Sequence, residues 1–520
     1  MILTRSVSKS RAPQMGDAPT TRTRALVILP PAFLALLLGL WQPGLSFWRD
    51  EGVTAGVTRR TIPDIFRFLA NLDAVHGAYY LLLHPVADMF GTGELTLRFP
   101  SILATAVTAA ATAHLANRLI MPKAGLAAGL LYAGAPFASR FAHEARPYAI
   151  ATMFTVLATI FFLGTIERPG RRSHLVYGGS LVLLGMIHLF ALLVVIAHLV
   201  TLTLLRDGRT RLRPWFITVT AVATVLSPLI VIAITQRNQV SWLRPPGWSD
   251  VSALLTVFSG SRALIFFMAV AIISGTVLTS KDAGKYIQRT PMLWSLAAPW
   301  LLVPPTILLL ISQLYPLYSA RYVSMCLPAL ALLASVGVTR VPGITWLIPL
   351  VLYGALAAPS HMAQRRQSSE PDQLREAARI ISSHASPGEA IVYLPTNRRA
   401  VAEAYPDAFQ KLRDVTLNVS PASAGNLGGI EATPQEIRRR LSDAALTRVW
   451  LLEGEQLWRG PTLDPLNQAK VDALEKSFRQ DGRWRVRSLT LTLYVRTGHS
   501  TSDRRSDNRR LTGEGSPGHL

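Results

Sequence analysis

A succession of long apolar runs separated by short basic loops constrains this chain more than anything else in it. Half of the 520 residues are apolar, and the formal net charge is +22. Apolar runs of this length and number define a polytopic membrane protein, because a chain crossing a bilayer must satisfy its backbone within helices. The runs expected to span are Ala25–Trp41, Pro100–Asn117, Ala124–Phe137, Ala149–Ile166, Leu175–Ile187, Phe190–Leu205, Trp215–Ile234, Leu264–Leu278, Leu293–Leu314, Val323–Val338 and Ile344–Ala358. That makes about eleven, several shorter than the roughly 20 residues a perpendicular crossing wants.

The positive charge is explained by where it lies. Arg118 with Lys123, Arg168 with Arg171 and Arg172, Arg206 with Arg209, Arg211 and Arg213, and Lys281 with Lys285 and Arg289 all fall in loops between runs. The positive-inside rule puts those loops in the cytoplasm. The same rule splits Leu175–Leu205 into a tight hairpin near His188, since a single crossing would strand basic clusters on opposite sides. A basic patch for nucleic acid is therefore not implied. The lone Cys326 excludes an intramolecular disulfide. The N-terminal stretch is basic and then apolar for longer than a signal peptide, with no small-residue cleavage site, so it reads as a cytoplasmic tail (1–24) and a retained first span.

Alternation then sends four segments outside: Gln42–Leu97, Ala138–Tyr148, Gln236–Asp250 and Tyr315–Tyr322. Everything after about Ser360 follows them. Residues 360–497 read as a small extracytoplasmic α/β domain. The helices expected there are Pro371–His384, one beginning at Thr433-Pro434, and Asn467–Gln480; the strands are Ala390–Leu394, Arg448–Leu452 and an alternating Trp484–Val495. Residues 498–520 are polar, Arg- and Ser-rich, and of disordered composition. The transmembrane part is 25–359.

Chemistry-bearing residues gather on the outer side. Trp48-Arg49-Asp50-Glu51-Gly52 follows the first span, so its two carboxylates stand at the membrane surface, where they can deprotonate a hydroxyl beside a lipid. In the same loop, Ile62–Leu69 and Ala78–Leu83 have apolar residues at helical spacing and suggest interfacial helices that wall a site. His143-Glu144-Ala145-Arg146-Pro147-Tyr148 lies in the second outer segment. Arg321-Tyr322 opens a span at the same face, and a planar, permanently charged guanidinium suits phosphate. His76 and His84 flank the second amphipathic stretch without metal-ligand spacing, and neither HxxxH nor CxxC occurs, so no metal site is expected. His114, His188 and His198 read as packing or hydrogen-bonding residues. A Walker A motif and a Rossmann fingerprint are both missing, so nucleotide use is unsupported.

Taken together, Trp48-Arg49-Asp50-Glu51, Asp73-Ala74-Val75-His76-Gly77-Ala78-Tyr79-Tyr80, Leu97-Arg98-Phe99-Pro100-Ser101 and His143–Ala149 resemble bacterial membrane glycosyltransferases of the GT-C class. The branch with protein O-mannosyltransferases and lipid A aminoarabinose transferases is the nearest, and actinobacterial mannosyltransferase-like proteins look most similar. The resemblance covers about Ala25–Ala358. It implies a polyprenyl-phosphate sugar donor, inversion at the anomeric carbon, and a first-loop acidic base. That base is Asp50, with Glu51 beside it and Glu144 as a second acidic position; Arg146 and Arg321 are placed at the lipid phosphate, with His76, His143 and Tyr322 lining the substrate. No organic cofactor is implied, and metal dependence stays open. The acceptor is an extracytoplasmic glycan, lipid or protein hydroxyl. Many relatives have Pro-Pro or Pro-Leu where this chain has Gly77-Ala78, so acceptor identity does not carry over. The sugar is expected to be mannose, with a pentose as the alternative. A transporter is the main rival from another class, but it would place charge near the bilayer midplane; here the spans are nearly free of charge. A non-catalytic scaffold would tolerate Asp50→Asn.

Overall fold

A computed structural model describes residues 21–42, 44–205, 207–241, 243–277, 290–366, 372–454 and 464–497. Most of the N-terminal tail, the C-terminal tail, Arg206, the Lys281–Arg289 cluster and Pro371 lie outside the described residues.

The membrane part is helical throughout. Its elements are α1 (Thr21–Leu40), α2 (Arg49–Thr58), α3 (Ile62–Asn71), α4 (Gly77–Phe90), α5 (Glu94–Leu119), α6 (Pro122–Ala133), α7 (Pro136–Ala142), α8 (Tyr148–Glu167), α9 (Arg171–Ile187), α10 (Val194–Leu204), α11 (Gly208–Thr235), α12 (Trp248–Ser259), α13 (Arg262–Val277), α14 (Thr290–Leu314), α15 (Leu327–Val338) and α16 (Leu347–Gln364). Five helices, 94–119, 148–167, 208–235, 291–314 and 320–338, are long and apolar enough to cross a membrane. A sixth crossing comes from α12 and α13 if that pair, bent by 80°, counts as one. Other expected spans are shorter or broken, as where α6 gives way to α7 at Gly134-Ala135 and where 3-10 turns (Leu189–Leu193) precede α10. Helix α12 begins inside the expected segment Gln236–Asp250 and lies in none of the expected spans. His188 does end α9, and the Tyr177 hydroxyl lies 2.9 Å from His198 Nδ1 across the turn, so the two arms run back along each other as a hairpin. His198 also meets Thr159 Oγ1 at 3.2 Å and stacks on Phe162, as expected of a packing histidine.

Both helices expected between α2 and α5 form, as α3 and α4. Thr61 caps α3 by accepting from the Asp64 N–H, and Pro63 sits in its first turn, where its missing N–H costs nothing. Ile65 and Phe68 face inward, fully buried.

The C-terminal domain comprises α17 (Leu374–His384), β1 (Ala390–Leu394), α18 (Ala400–Ala404), α19 (Pro406–Phe409), β2 (Arg413–Asp414), β3 (Leu417–Val419), α20 (Pro421–Ala424), β4 (Ile430–Glu431), α21 (Pro434–Ser442), β5 (Arg448–Gly454), α22 (Pro465–Ser477), β6 (Phe478–Val486) and β7 (Leu489–Arg496). One sheet has the order β2-β1-β5-β7-β6, with β1 parallel to β2 and β5, and β7 antiparallel to both its neighbours. Along β1 the side chains alternate: Ile391 and Tyr393 join the core that contains α17, while Ala390, Val392 and Leu394 join the core that contains α21 and α22. The sheet is thus covered on both faces, which is why β1 reads as an unbroken apolar run. Two expectations are corrected. The helix expected to reach Gln480 stops at Ser477, because Phe478 turns into the core as the first residue of β6. The stretch Trp484–Val495 is a hairpin of two strands, turning at Arg487-Ser488.

The C-terminal domain rests on α2. A Cβ at Gly52 would come within 2.7 Å of Leu374 Cδ1, and one at Gly56 within 2.7 Å of Glu403 Oε2, so two glycines one helical turn apart allow this approach. Polar contacts fix it: Arg60 Nη2 lies 3.2 Å from Glu403, Arg375 Nε donates to Glu94 at 3.0 Å, and the Tyr405 hydroxyl donates to the same carboxylate at 2.6 Å.

Candidate active site

Asp50 and Glu51 both occupy the first turn of α2, where the helix dipole favours negative charge. Their surroundings differ completely. Glu51 has no exposure. Arg98, itself fully buried in α5, grips it with Nε to Oε1 at 2.8 Å and Nη2 to Oε2 at 2.6 Å, and the Ala145 N–H donates to Oε1 at 2.7 Å. Arg98 also donates to the carbonyls of Leu45 (2.7 Å) and Ser46 (3.2 Å). One ion pair thus ties the connection from α1 to α2, the start of α2, α5 and the 143–147 loop together. In the sequence Arg98 stands within the Leu97–Ser101 motif with nothing local to mark it as the partner of Glu51.

Asp50 turns the other way. Its Oδ2 is 3.3 Å from Arg321 Nη1, and its side chain keeps 27% exposure, as does that of Arg321. Arg321 lies in a 3-10 segment, Ala320–Cys326, that precedes α15 and is fastened to α14 by the Trp300 Nε1–H donating to the Met325 carbonyl at 2.9 Å. The guanidinium also stands 5.5 Å over the Trp48 ring, and its Nε donates to Ser319 at 3.2 Å.

Arg146 sits deeper, in the loop between α7 and α8. Burial works against its charge, but Tyr148, Tyr80, Asp50 and Asp73 outweigh it and hold the guanidinium firmly ionised. Its Nη2 is 3.2 Å from His76 Nε2, and its buried Nε finds no partner in the protein. Because Arg can only donate, His76 Nε2 must accept, which leaves Nδ1–H to donate to Asp73 at 2.6 Å. The Tyr80 hydroxyl donates to the other Asp73 oxygen. Burial pushes the Asp73 carboxyl up, but His76, Arg146 and Tyr80 prevail and lower it. Asp73 is thus a site residue beyond those expected from the sequence, where only its place three residues before His76 signals the contact.

Glu144 is buried close by. Burial raises its carboxyl above the ordinary range, against the pull of Arg140, whose Nε lies 3.1 Å away. Tyr322 stacks on Phe190 with ring centroids 5.1 Å apart and lies 5.6 Å from His188, which in turn lies 5.6 Å from Tyr148. Nδ1 of His188 is a further buried atom without a partner. His188 was read as packing; it borders the Arg146 cluster, and only its place at a hairpin turn signalled that. His143 does not join. Its ring is held between the carbonyls of Ser139 (2.8 Å) and Trp41 (3.2 Å), and burial with nearby Arg365 lowers its pKa to about 4. Of the expected residues, then, Asp50, Arg321, Arg146, His76, Tyr322 and Glu144 converge, Glu51 is enclosed behind them and His143 points elsewhere. No group of three potential metal ligands occurs among the described residues.

Residues 78–235 match the sequence-family model for dolichyl-phosphate-mannose-protein mannosyltransferases. The fold matches the crystal structure of ArnT from Cupriavidus metallidurans in the apo state, with a TM-score of 0.59 and 12% identity, covering 90% of this chain and 97% of that one. The same protein bound to undecaprenyl phosphate matches with a TM-score of 0.59 and 12% identity, covering 91% and 98%. These findings give the chain the fold of ArnT and, over residues 78–235, a likeness to the mannosyltransferase family. No curated protein matches its sequence.

Within this ArnT-like fold the site occupies one end of the helical bundle, where α2, the 143–147 loop and the Ala320–Cys326 segment meet beneath the C-terminal domain.

Proposed function

We propose that this protein transfers a sugar from a polyprenyl-phosphate donor to an acceptor hydroxyl, with inversion, at the extracytoplasmic surface of the cell membrane. The observation that carries the reading is the pairing of an accessible carboxylate, Asp50, with Arg321, next to a buried Arg146 whose Nε is unpartnered. A carboxylate beside two arginines is what transfer from a phosphate-linked sugar requires. The undecaprenyl phosphate bound to ArnT supports the donor class.

The acceptor oxygen attacks the anomeric carbon, and the bond from that carbon to the phosphate oxygen breaks on the opposite side. The hydroxyl proton passes to Asp50. The bonding pair leaves with the lipid phosphate, whose growing charge falls to Arg146 and Arg321; preorganised cations in a dry site are most effective there. Arg321 has two tasks in sequence. Without donor it neutralises Asp50. A bound phosphate competes for the guanidinium and leaves Asp50 free to accept a proton. Asp73 orients His76, and His76 orients Arg146. Glu51 acts through Arg98 as the anchor that aims the first turn of α2, and Glu144 supports the cluster from the second outer segment.

Mannose is the first sugar to try, on the description of the matching family; a pentose is the second, on the ArnT fold. The test is release of lipid phosphate from polyprenyl-phosphate-mannose by the protein in lipid, with a pentose donor in parallel. Turnover of the mannose donor, abolished in Asp50→Asn, is the expected result. Equal release by wild type and variant removes Asp50 as the base.

A further inference from the structure

Two adjacent arginines in the C-terminal domain are treated in opposite ways. The 3-10 turn Thr396–Arg399 follows β1 and carries Arg398 and Arg399, both buried. Arg399 is saturated. Its guanidinium donates to the two Asp414 oxygens at 2.6 and 3.0 Å, to Glu431 at 2.7 Å, to Thr416 at 2.8 Å and to the Gly428 carbonyl at 3.0 Å. Arg398 keeps only 7% exposure. Its guanidinium nevertheless makes no hydrogen bond or ion pair among the described residues, and its Nε is enclosed without a partner. A buried cation left unpaired is destabilising, and the transfer chemistry above does not use this one.

The surroundings of Arg398 say what it awaits. Gly454 ends β5, the parallel neighbour of β1. A Cβ there would come within 2.2 Å of Arg398 Nε and 2.4 Å of Nη2, so the guanidinium rests directly on bare backbone. That is the crevice outside the carboxyl ends of parallel strands, where open α/β sheets take ligands. The guanidinium also faces α2. Burial and then the like charge of Arg49 lower its pKa, and Asp372 raises it; an arginine stays ionised all the same.

The acids nearby are already engaged. Glu51 belongs to Arg98, and Asp50 to Arg321. Asp50 lies 3.8 Å from the half-exposed Arg49 Nε as well. Asp372 accepts the Arg49 N–H at 2.9 Å with one oxygen and the Ser488 hydroxyl with the other. Arg398 and Arg49 therefore share one carboxylate, at a helix start whose dipole is positive. An oxyanion is the group that this arrangement lacks, and a planar guanidinium is the donor suited to one.

We propose that Arg398, with Arg49 at the start of α2, forms an oxyanion subsite for a phosphate or carboxylate that the acceptor carries beside the hydroxyl deprotonated by Asp50. The link to the acceptor rests on the transferase reading; oxyanion binding is measurable without turnover. The probe is glucose 6-phosphate, titrated calorimetrically into the full-length protein in phosphatidylcholine nanodiscs, with undecaprenyl phosphate present to occupy Arg146 and Arg321. Glucuronic acid is the carboxylate probe and glucose the neutral comparator. At least one acidic sugar should bind ten-fold or more tightly than glucose. Arg398→Met should abolish that preference, and so should Gly454→Ala, whose methyl group displaces the guanidinium. Without ligand, Arg398→Met should melt at or above the wild-type temperature, because it removes an unpaired buried charge. An arginine that served only the fold would give earlier melting. No preference for either acidic sugar, a preference that survives Arg398→Met, or earlier melting of that variant without ligand overturns the proposal. Exchanging part of the phosphatidylcholine for phosphatidylglycerol separates the two sources. Loss of sugar-phosphate binding would put the oxyanion on a lipid acceptor, and unchanged binding would put it on a water-soluble one. Binding that depends on Arg398 while no donor is turned over would sink the transferase reading and leave the oxyanion subsite standing.

Discussion

The two sides of α2 carry adjacent carboxylates in opposite environments. On the bundle side, Glu51 is enclosed and held by Arg98 and the Ala145 N–H. On the open side, Asp50 makes a longer contact, 3.3 Å, to an arginine that is itself partly exposed. A buried ion pair is costly to break and hard to use in chemistry. A partly exposed one exchanges partners readily. Adjacent residues in a helix point about 100° apart, and that rotation alone separates an anchor from a base.

The sharpest way to break this comparison is Asp50→Asn. Transfer should fall by about 10²–10⁴-fold, the usual contribution of a general base, while the melting temperature in detergent stays that of wild type. A comparable loss of melting temperature would mean that Asp50 is structural too. The reciprocal change is Glu51→Ala. It leaves the Arg98 charge buried without its partner and should destabilise by about 3–5 kcal/mol, seen as early melting and poor recovery. Combining Glu51→Leu with Arg98→Met should restore much of that stability, because an apolar pair of similar volume avoids the desolvation cost. A double variant as unstable as the single one would show that the ion pair does more than anchor.

A third prediction contrasts His143 with the cluster it was expected to join. Its folded pKa is about 4, below the reference 6.5, so between those values the unfolded chain binds more protons than the folded one. Stability contributed here is complete above pH 6.5 and is lost as pH falls toward 4, by up to about 3 kcal/mol. His143→Gln should flatten the decline in melting temperature over that window and leave the rate of transfer at pH 7.5 unchanged. An unflattened decline would place the acid sensitivity elsewhere.

How much of this was legible in the sequence differs by level. The helical membrane fold and the covered strand β1 follow from apolar runs, which the bilayer and a two-sided sheet both demand. Asp50, Arg146 and Arg321 were grouped in the sequence because the expected topology gathers charge at one surface, and their side chains do lie near one another. What the sequence hid were pairings across long separations. Arg98 sits near the start of a long apolar helix and reads as part of a motif until Glu51 is seen opposite it, 47 positions earlier. Asp372 looks like an ordinary helix-start residue, yet it accepts from Arg49 and Ser488, which no local pattern joins. The helix breaks at Gly134-Ala135 and Gly260-Ser261 blurred the spans, since apolarity continues through them while the backbone does not.

Arg321→Lys gives the smallest expected effect and the finest test of the open side. Lysine keeps the positive charge near Asp50 and can still neutralise it, but it offers a point charge where the guanidinium offers a planar fork. If Arg321 only steadies Asp50, the variant should transfer at the wild-type rate. If it passes from Asp50 to the donor phosphate, the loss of bidentate geometry should cost about ten-fold in kcat/KM for the donor, equivalent to about 1.4 kcal/mol. The loss should appear with donor varied and acceptor saturating, and disappear with the two reversed. Arg321→Gln, which removes the charge as well, should lose more than the lysine variant. Equal losses in the two would mean that geometry at Arg321 matters and charge does not, and the partner exchange proposed for it would fail.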